Sequence, residues 1–387
     1  MQQSVIHLVS PAEVGGLESA VHVLAAAQRA RGHDVRVLAS IGAPNAATAW
    51  ISGLRASGVP VLPLVSSRID YVAHWRRIKQ ECVAYAPDVV HTHGYRADVL
   101  GADAARAAGC RTVTTVHGFK SGAWKHRMYE HVQRRAFVRF DAVVAVSRGI
   151  ADELHHRLEP GRLHVVPNAF ATRYEIVARE EARAALGLPP SEFRVGWVGR
   201  LSYETSADLA IRALSHDSAA GVMLSIIGDG AARKQLERRA STLGVADRIA
   251  WHGVRYDAPA LLRAFDALVI SSRTEGAPIV LLEAMAAGVP IIATRAGAVA
   301  DIVCDEHALL VPPEQPAAIA HAIDTVRHGQ RAARYRAWRA AQRVASQFSI
   351  DPWLDHYERI YDAVARSGAR TRCDRARPPV STAPATA

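Results

Sequence analysis

Two glutamates carry the most chemistry for their spacing. Glu275 and Glu283 are separated by seven residues in Glu-Gly-Ala-Pro-Ile-Val-Leu-Leu-Glu. Pro278 suits the first turn of a helix, where its missing N–H costs nothing. The free N–H groups of Ala277, Ile279 and Val280 then point out of the helix N-terminus and form an anion site ready for a phosphate. A carboxylate beside a phosphate is repelled, so both glutamates need another partner. Sugar hydroxyls are the natural one, because an ionised carboxylate only accepts hydrogen bonds and a hydroxyl can donate. One stretch that holds phosphate and hydroxyls together suggests a nucleotide-sugar. A lone glutamate is ordinarily a loop or solvated helix residue. Two of them, flanking Gly276 and Pro278 between buried strands, weigh the other way.

Further residues of this kind stand at strand ends. Asp88-Val89-Val90-His91-Thr92-His93 ends in two histidines spaced for one face. A metal needs a third ligand, which the neighbouring sequence does not offer, so no metal is expected. His117 follows the apolar-alternating run Thr112–Val116, where a strand delivers side chains to a ligand. Gly15-Gly16 follows the run Val5–Val9, where missing side chains let a backbone approach a phosphate or sugar closely. Arg200 follows Val195-Gly196-Trp197-Val198-Gly199 and can meet a diphosphate in a charge-assisted contact, worth about 1.5–3 kcal/mol.

These residues need elements to position them. Phe265–Ile270 and Val289–Ala293 read as buried strands around a short helix that stops at Gly288, a residue fit for the left-handed position after a helix. Strand, polar loop, helix and strand make two parallel neighbours. The same unit recurs at Val5–Leu38, Arg194–Ile227 and elsewhere. The expected class is therefore α/β, with ligands at the carboxyl ends of the strands. Val59–Leu64 carries Pro60 and Pro63, which fits an edge strand.

The stretch from Glu275 to Thr294 resembles the signature of the family 4 retaining glycosyltransferases (glycosyl transferases group 1), and the resemblance runs from about residue 4 to 365. It implies the GT-B architecture, two Rossmann-like domains facing across an interdomain cleft. The expected domains are 1–172 on the acceptor side, 173–352 binding the donor, a helix 353–367 crossing back, and a basic tail 368–387 without order. The implied roles are Glu283 on the donor ribose, with Glu275 and His117 at the transferred sugar. Gly15 and Gly16 face the diphosphate and the acceptor. Arg200, Gly276, Ala277, Ile279 and Val280 meet the diphosphate, and Val254 lies in the loop that backs the base. No cofactor is implied. One departure stands out. The family continues after the arginine with Glu-Lys-Gly, and here those positions are Glu204, Thr205 and Ser206. The diphosphate-holding lysine is missing, and Arg233 or Lys234 are candidates to compensate.

Composition sets the partners. The chain has 387 residues, enough for two domains, and a formal net charge of +10, which favours anionic partners. Residues 124–140 read as a basic amphipathic helix with Met128, Val132, Ala136 and Phe140 as its apolar stripe. Lys125, Arg127, Arg134, Arg135 and Arg139 supply its charge. An anionic membrane surface is one reading, and a solvated face on a packed helix is the other. Zinc-like cysteine spacing and aromatic-basic alternation are absent, so no nucleic acid is expected. Cys82, Cys110, Cys304 and Cys373 are scattered as in a reduced cytoplasmic protein, and no signal peptide or membrane span is read. The expectation is a retaining hexosyltransferase using a UDP- or GDP-sugar and a glycan or lipid-linked acceptor in cell-envelope, lipopolysaccharide or exopolysaccharide synthesis. It would be cytoplasmic, peripheral on the inner face of the membrane. The alternatives are a sugar-nucleotide epimerase of the same fold and a catalytically silent nucleotide- or glycan-binding homologue.

Overall fold

The computed structural model describes residues 2–11, 16–43, 46–65, 71–119, 124–170, 175–274 and 278–366, with the side chains of the segment from 124 described from Met128 onward. Two parallel sheets organise it. The first contains β1 (Ser4–Val9), β2 (Asp34–Ile41), β3 (Val61–Val65), β4 (Val89–His93), β5 (Arg111–Val116), β6 (Ala142–Ala145) and β7 (Leu163–Val165). Its seven strands run in the order β3-β2-β1-β4-β5-β6-β7, with proline-bearing β3 at the edge. The second contains β8 (Arg194–Val198), β9 (Met223–Ile227), β10 (Ile249–Gly253), β11 (Ala267–Ile270), β12 (Ile291–Thr294) and β13 (Leu309–Val311). Its order is β10-β9-β8-β11-β12-β13.

Helices cover both faces of each sheet, so most strands are rich in Val, Ile, Leu and Ala, while β4 and β5 carry buried histidines and threonines. In each sheet the chain reverses direction of travel beside its first strand, between β1 and β4 and between β8 and β11. Crevices at the carboxyl ends of such strands are where doubly wound sheets take ligands. The fold is thus the α/β, two-sheet architecture expected.

Strand alternation sorts the first sheet by face. Val5, Val89 and Val113 lie on one side under Leu24 and under the helix Ile350–Arg366, which contributes Trp353, Leu354, Tyr357, Ile360, Tyr361 and Val364. That helix follows the second sheet in sequence yet packs on the first. Arg31 anchors it through Asp351 at 2.8 Å, Asp355 at 2.6 Å and Glu358 at 3.1 Å. Ile6, Leu8 and Val90 face the other way, against Ile78, Cys82, Ala104 and Ala105.

The helix Trp124–Phe137 divides the apolar stripe expected of its segment. Its buried side is Gln133 and Phe137, continued by Phe140, whereas Met128 and Val132 are 49% and 38% exposed. Gln133 turns inward because its Nε2 donates to the buried Asp98 carboxylate at 2.6 Å. Arg134 stacks 3.8 Å over the Phe119 ring and pairs with Glu153. Lys125 and Arg127 lie outside the described side chains. No helix among the described residues is long and apolar enough to cross a membrane.

Candidate active site

The second sheet supplies a loop and a helix N-terminus. The helix Ile279–Ala287 is apolar except for Glu283, and Leu281, Leu282, Ala284, Met285 and Ala287 are buried. Burial on so many sides fixes the helix against the sheet. Glu283 is half-buried, the one ionisable group the helix carries. Gly288 ends it at φ 67°, returning its N–H to Ala284 and Met285 carbonyls. Pro278 is the residue before the helix rather than part of its first turn. Among the described residues, no backbone carbonyl accepts from the N–H of Ile279 or Val280, whereas Leu281 already donates to Pro278. Glu275, Gly276 and Ala277 lie outside the described residues, as does Gly15.

The turns after β8 and β9 are packed backbone to backbone. Leu201 donates its N–H to Asp229 carbonyl at 3.0 Å, and Gly199 to Ile227 at 3.1 Å. A Cβ on Gly228 would stand 1.9 Å from the Gly199 oxygen, and one on Gly230 would stand 2.4 Å from the Leu201 oxygen. Gly228-Asp229-Gly230 is therefore required by this close approach. It holds the Arg200 turn in place while the Arg200 side chain remains exposed. Thr205 closes the same turn by donating its hydroxyl to the Arg200 carbonyl. Of the two candidate compensating cations, Arg233 pairs with Glu237 and lies 4.3 Å over the Trp251 ring. Lys234 is exposed. Val254, in the loop after β10, is 45% exposed.

The first sheet brings histidines together. Parallel register sets His7 of β1 beside His91 of β4. His7 Nδ1 lies 3.0 Å from His93 Nε2, and His93 Nδ1 lies 3.3 Å from His117 Nε2. Behind them, His7 Nε2 is 2.7 Å from Gln28 Oε1, and Gln28 Nε2 donates to Tyr361 Oη at 3.2 Å. His91 reaches Tyr361 Oη at 2.7 Å and Thr115 Oγ1 at 2.8 Å. Burial lowers the pKa of His7 to about 4 and pushes those of His91 and His93 well down. His117, just after β5, is half-buried as a residue, and the protein packed around its imidazole lowers its pKa to about 4. All four rings are neutral at pH 7.

His7 is the ligand partner that local sequence could not offer. His7, His91 and His93 each bring a nitrogen within 4.8 Å of the others. Their nitrogens are already committed to one another, Gln28, Tyr361, Thr115 and His117, in a buried position. A metal would have to break that set. His7, Gln28 and Tyr361 were not legible as site-supporting residues, because nothing local in the sequence reveals which residues of distant strands share a register.

The two halves meet at helix N-termini. The helix Gly16–Ala30 starts just after β1, and a Cβ on Gly16 would lie 3.7 Å from Ile279 Cγ1. A Cβ on Gly94, at the end of β4, would lie 3.4 Å from Leu17 Cδ1. A line of close approaches thus runs from His117 through His93 and the adjoining Gly94 to Leu17, Gly16 and Ile279. Of the expected site residues that are described, Gly16 and Ile279 meet at this junction, Val280 follows Ile279 in its helix, and His117 is linked to it through His93. Arg200 and Val254 stand on strand-end loops of the second sheet.

Residues 14–174 match the family model for Glycosyltransferase Family 4, and residues 178–343 match that for Glycosyl transferases group 1. The chain is 28% identical over 393 residues to a glycogen synthase of Mycobacterium tuberculosis, covering 92% of this chain and 93% of that one. It is 28% identical over 265 residues to an Escherichia coli UDP-Gal:alpha-D-GlcNAc-diphosphoundecaprenol alpha-1,3-galactosyltransferase, covering 62% and 66%. Among solved structures, Anabaena Alr3699/HepE in complex with UDP and glucose superposes with a TM-score of 0.81 at 22% identity, covering 93% of this chain and 100% of that one.

Proposed function

Because the chain belongs to the family 4 glycosyltransferases, with the GT-B fold, we propose that it transfers a sugar, with retention, from a nucleoside diphosphate-sugar to a glycan or lipid-linked acceptor. The carrying observation is the junction of Gly16 and Ile279, where helix N-termini from both sheets approach within van der Waals contact. In this reading residues 1–172 form the acceptor side and 173–352 the donor side, with 353–367 crossing back. The Ile279 and Val280 amides, with Gly276, Ala277 and Arg200, receive the diphosphate. Their dipole and charge oppose the negative charge that grows on the leaving group, the kind of preorganised stabilisation that supplies much of a transferase's rate. Glu283 accepts from the ribose hydroxyls. Glu275 and His117 hold the transferred sugar, and neutral His117 can do so without repelling or protonating it. Gly15 and Gly16 let the backbone close on the diphosphate, and Val254 backs the base.

The UDP-bound neighbour and the UDP-Gal-using relative support a uridine donor. The diphosphoundecaprenol named in that relative's acceptor supports a lipid-linked one. Exposed Met128, Tyr129 and Val132 on a basic helix support a peripheral position on the inner face of the membrane, where each basic residue near an anionic surface adds about 1 kcal/mol.

The test is a donor panel. Purified protein is incubated with UDP- and GDP-sugars, with and without membrane lipid extract, and nucleoside diphosphate release is followed. Lipid-dependent release from one donor is expected. Conversion of the donor sugar without acceptor would make the protein an epimerase. Nucleotide binding with no turnover on any acceptor would make it the silent homologue that Thr205 leaves open.

A further inference from the structure

We propose that Gln28, acting through His7 and His93, fixes His117 in the tautomer that carries its proton on Nε2, so that Nδ1 is a permanent hydrogen-bond acceptor for the ligand. The inference rests on the reading of His117 as a sugar contact and adds three positioning residues to it.

The argument follows protons along the chain of contacts. A neutral imidazole has one donor nitrogen and one acceptor. Gln28 Oε1 can only accept, so His7 donates from Nε2 across 2.7 Å. His7 Nδ1 is then an acceptor, and His93 must donate to it from Nε2 across 3.0 Å. His93 Nδ1 becomes an acceptor in turn, and His117 must donate from Nε2 across 3.3 Å. That leaves the His117 Nδ1 lone pair, and among the described residues no partner takes it. Each ring is neutral, so no second proton relaxes the rule.

The orientation of the Gln28 amide sets the polarity of the whole chain. Turned over, it would place an N–H against a ring nitrogen at 2.7 Å, whereas that separation suits N–H···O. The second branch agrees with this orientation. Gln28 Nε2 donates to Tyr361 Oη, which frees the Tyr361 hydroxyl to donate to His91 Nδ1 at 2.7 Å. His91 Nε2 then donates to Thr115 Oγ1 at 2.8 Å. Apart from His117 Nδ1, every ring nitrogen and hydroxyl of both branches has a partner in one arrangement, as burial demands. A residue on the helix Gly16–Ala30 thereby decides what a ring at the end of β5 presents to a ligand.

The experiment is histidine-selective 15N labelling of the full chain and long-range proton–nitrogen correlation, with His117 identified by His117→Gln. The expected wild-type spectrum shows His117 with a protonated Nε2 and a bare Nδ1. A His117 protonated on Nδ1 would overturn the proposal without any variant, so a folding failure elsewhere cannot rescue it. Gln28→Leu, which removes the fixed acceptor, should give His117 a mixed tautomer and lower kcat about tenfold with donor KM changed less than about twofold. An unchanged tautomer, or a mixed tautomer with unchanged kcat, would also sink it. The spectrum reads the relay and nucleoside diphosphate release reads the chemistry. An Nε2–H His117 in a protein that turns over no donor would therefore refute the transferase reading while leaving the relay.

Discussion

Arg273 and Asp208 form a two-pronged ion pair, Nη1 to Oδ1 at 2.8 Å and Nη2 to Oδ2 at 3.0 Å. It ties the loop after β11 to the first turn of the helix Ala207–Ala213. The same guanidinium donates to the Tyr203 carbonyl at 3.0 Å, lies 4.3 Å over the Tyr203 ring and pairs with Glu314. Arg273 thus clamps the loop two residues ahead of Glu275 to the turn that carries Arg200 and Thr205.

Replacing Arg273 with Ala strips Asp208 of this partner in a largely buried setting. The expected cost is about 2–4 kcal/mol of stability, with a rise in donor KM as the Glu275 loop loosens. Arg273→Lys keeps the charge and loses the fork, so it should recover only part of either. Thermal denaturation and donor titration read both. An Arg273→Ala protein as stable as wild type would show that the clamp is not structural.

Glu283→Ala removes the one carboxylate from an otherwise apolar helix. Helix propensity itself does not oppose the change, because Ala is the better helix former. Donor KM should rise at least tenfold if the ribose hydroxyls are held there. An unchanged KM beside an unchanged melting temperature would assign Glu283 a different partner.

Thr205→Lys sets two effects against each other. The hydroxyl that closes the turn on the Arg200 carbonyl is lost, at about 1 kcal/mol. An ammonium is gained where the resemblance places the diphosphate. The variant should melt slightly earlier and bind donor several-fold more tightly. A variant that melts earlier with no gain in affinity would place the diphosphate elsewhere.

Stability should fall on mild acidification. His7, His91, His93 and His117 are held neutral in the fold, below the value of 6.5 they take when unfolded. Below pH 6.5 the unfolded chain binds more protons, so stability declines from there toward about pH 4, where His7 and His117 themselves begin to protonate. Four rings together give at most about 5 kcal/mol per pH unit. Asp98 acts with the opposite sign. Burial, only partly offset by Thr92, Thr114 and Gln133, raises its carboxyl to about 6 from 3.8, so its burial cost is relieved as pH falls between those values. One carboxyl does not cancel four imidazoles. Melting temperatures measured from pH 8 to 4.5 should stay level to about 6.5 and then drop; a level curve to pH 5 would mean the rings are not held neutral.

The β11–helix–β12 unit was legible because its signals are local. Gly288 stops the helix, and two buried runs bracket it. The stripe at 124–140 divides in the fold, with Phe140 buried and Met128 and Val132 exposed. Met128, Val132, Ala136 and Phe140 repeat every four residues, but the inward side also carries Gln133, whose amide donates to the buried Asp98. Hydropathy counts Gln133 as a surface residue and so points the stripe elsewhere. The polar core was harder still. His7, Gln28, His91, Thr115 and Tyr361 come from three strands and two helices, and their meeting depends on register between β1, β4 and β5. Each alone is an ordinary residue. Glu275, Gly276, Ala277 and Gly15 were named from the sequence, and their placement stays a proposal.

The helix Ile350–Arg366 has a consequence for the birth of the chain. It covers Val5, Val89 and Val113 and supplies Tyr361 to the histidine cluster. A ribosome finishes the first sheet at Val165 long before it makes that helix. At ordinary elongation rates the wait is roughly 10–40 s. For that interval the nascent first half holds an open apolar face and a His91 Nδ1 without its tyrosine partner, while the second half can complete both of its own faces as it emerges. The part made first is therefore the part that matures last, and a nascent-chain chaperone has a defined surface to shield until the final residues arrive.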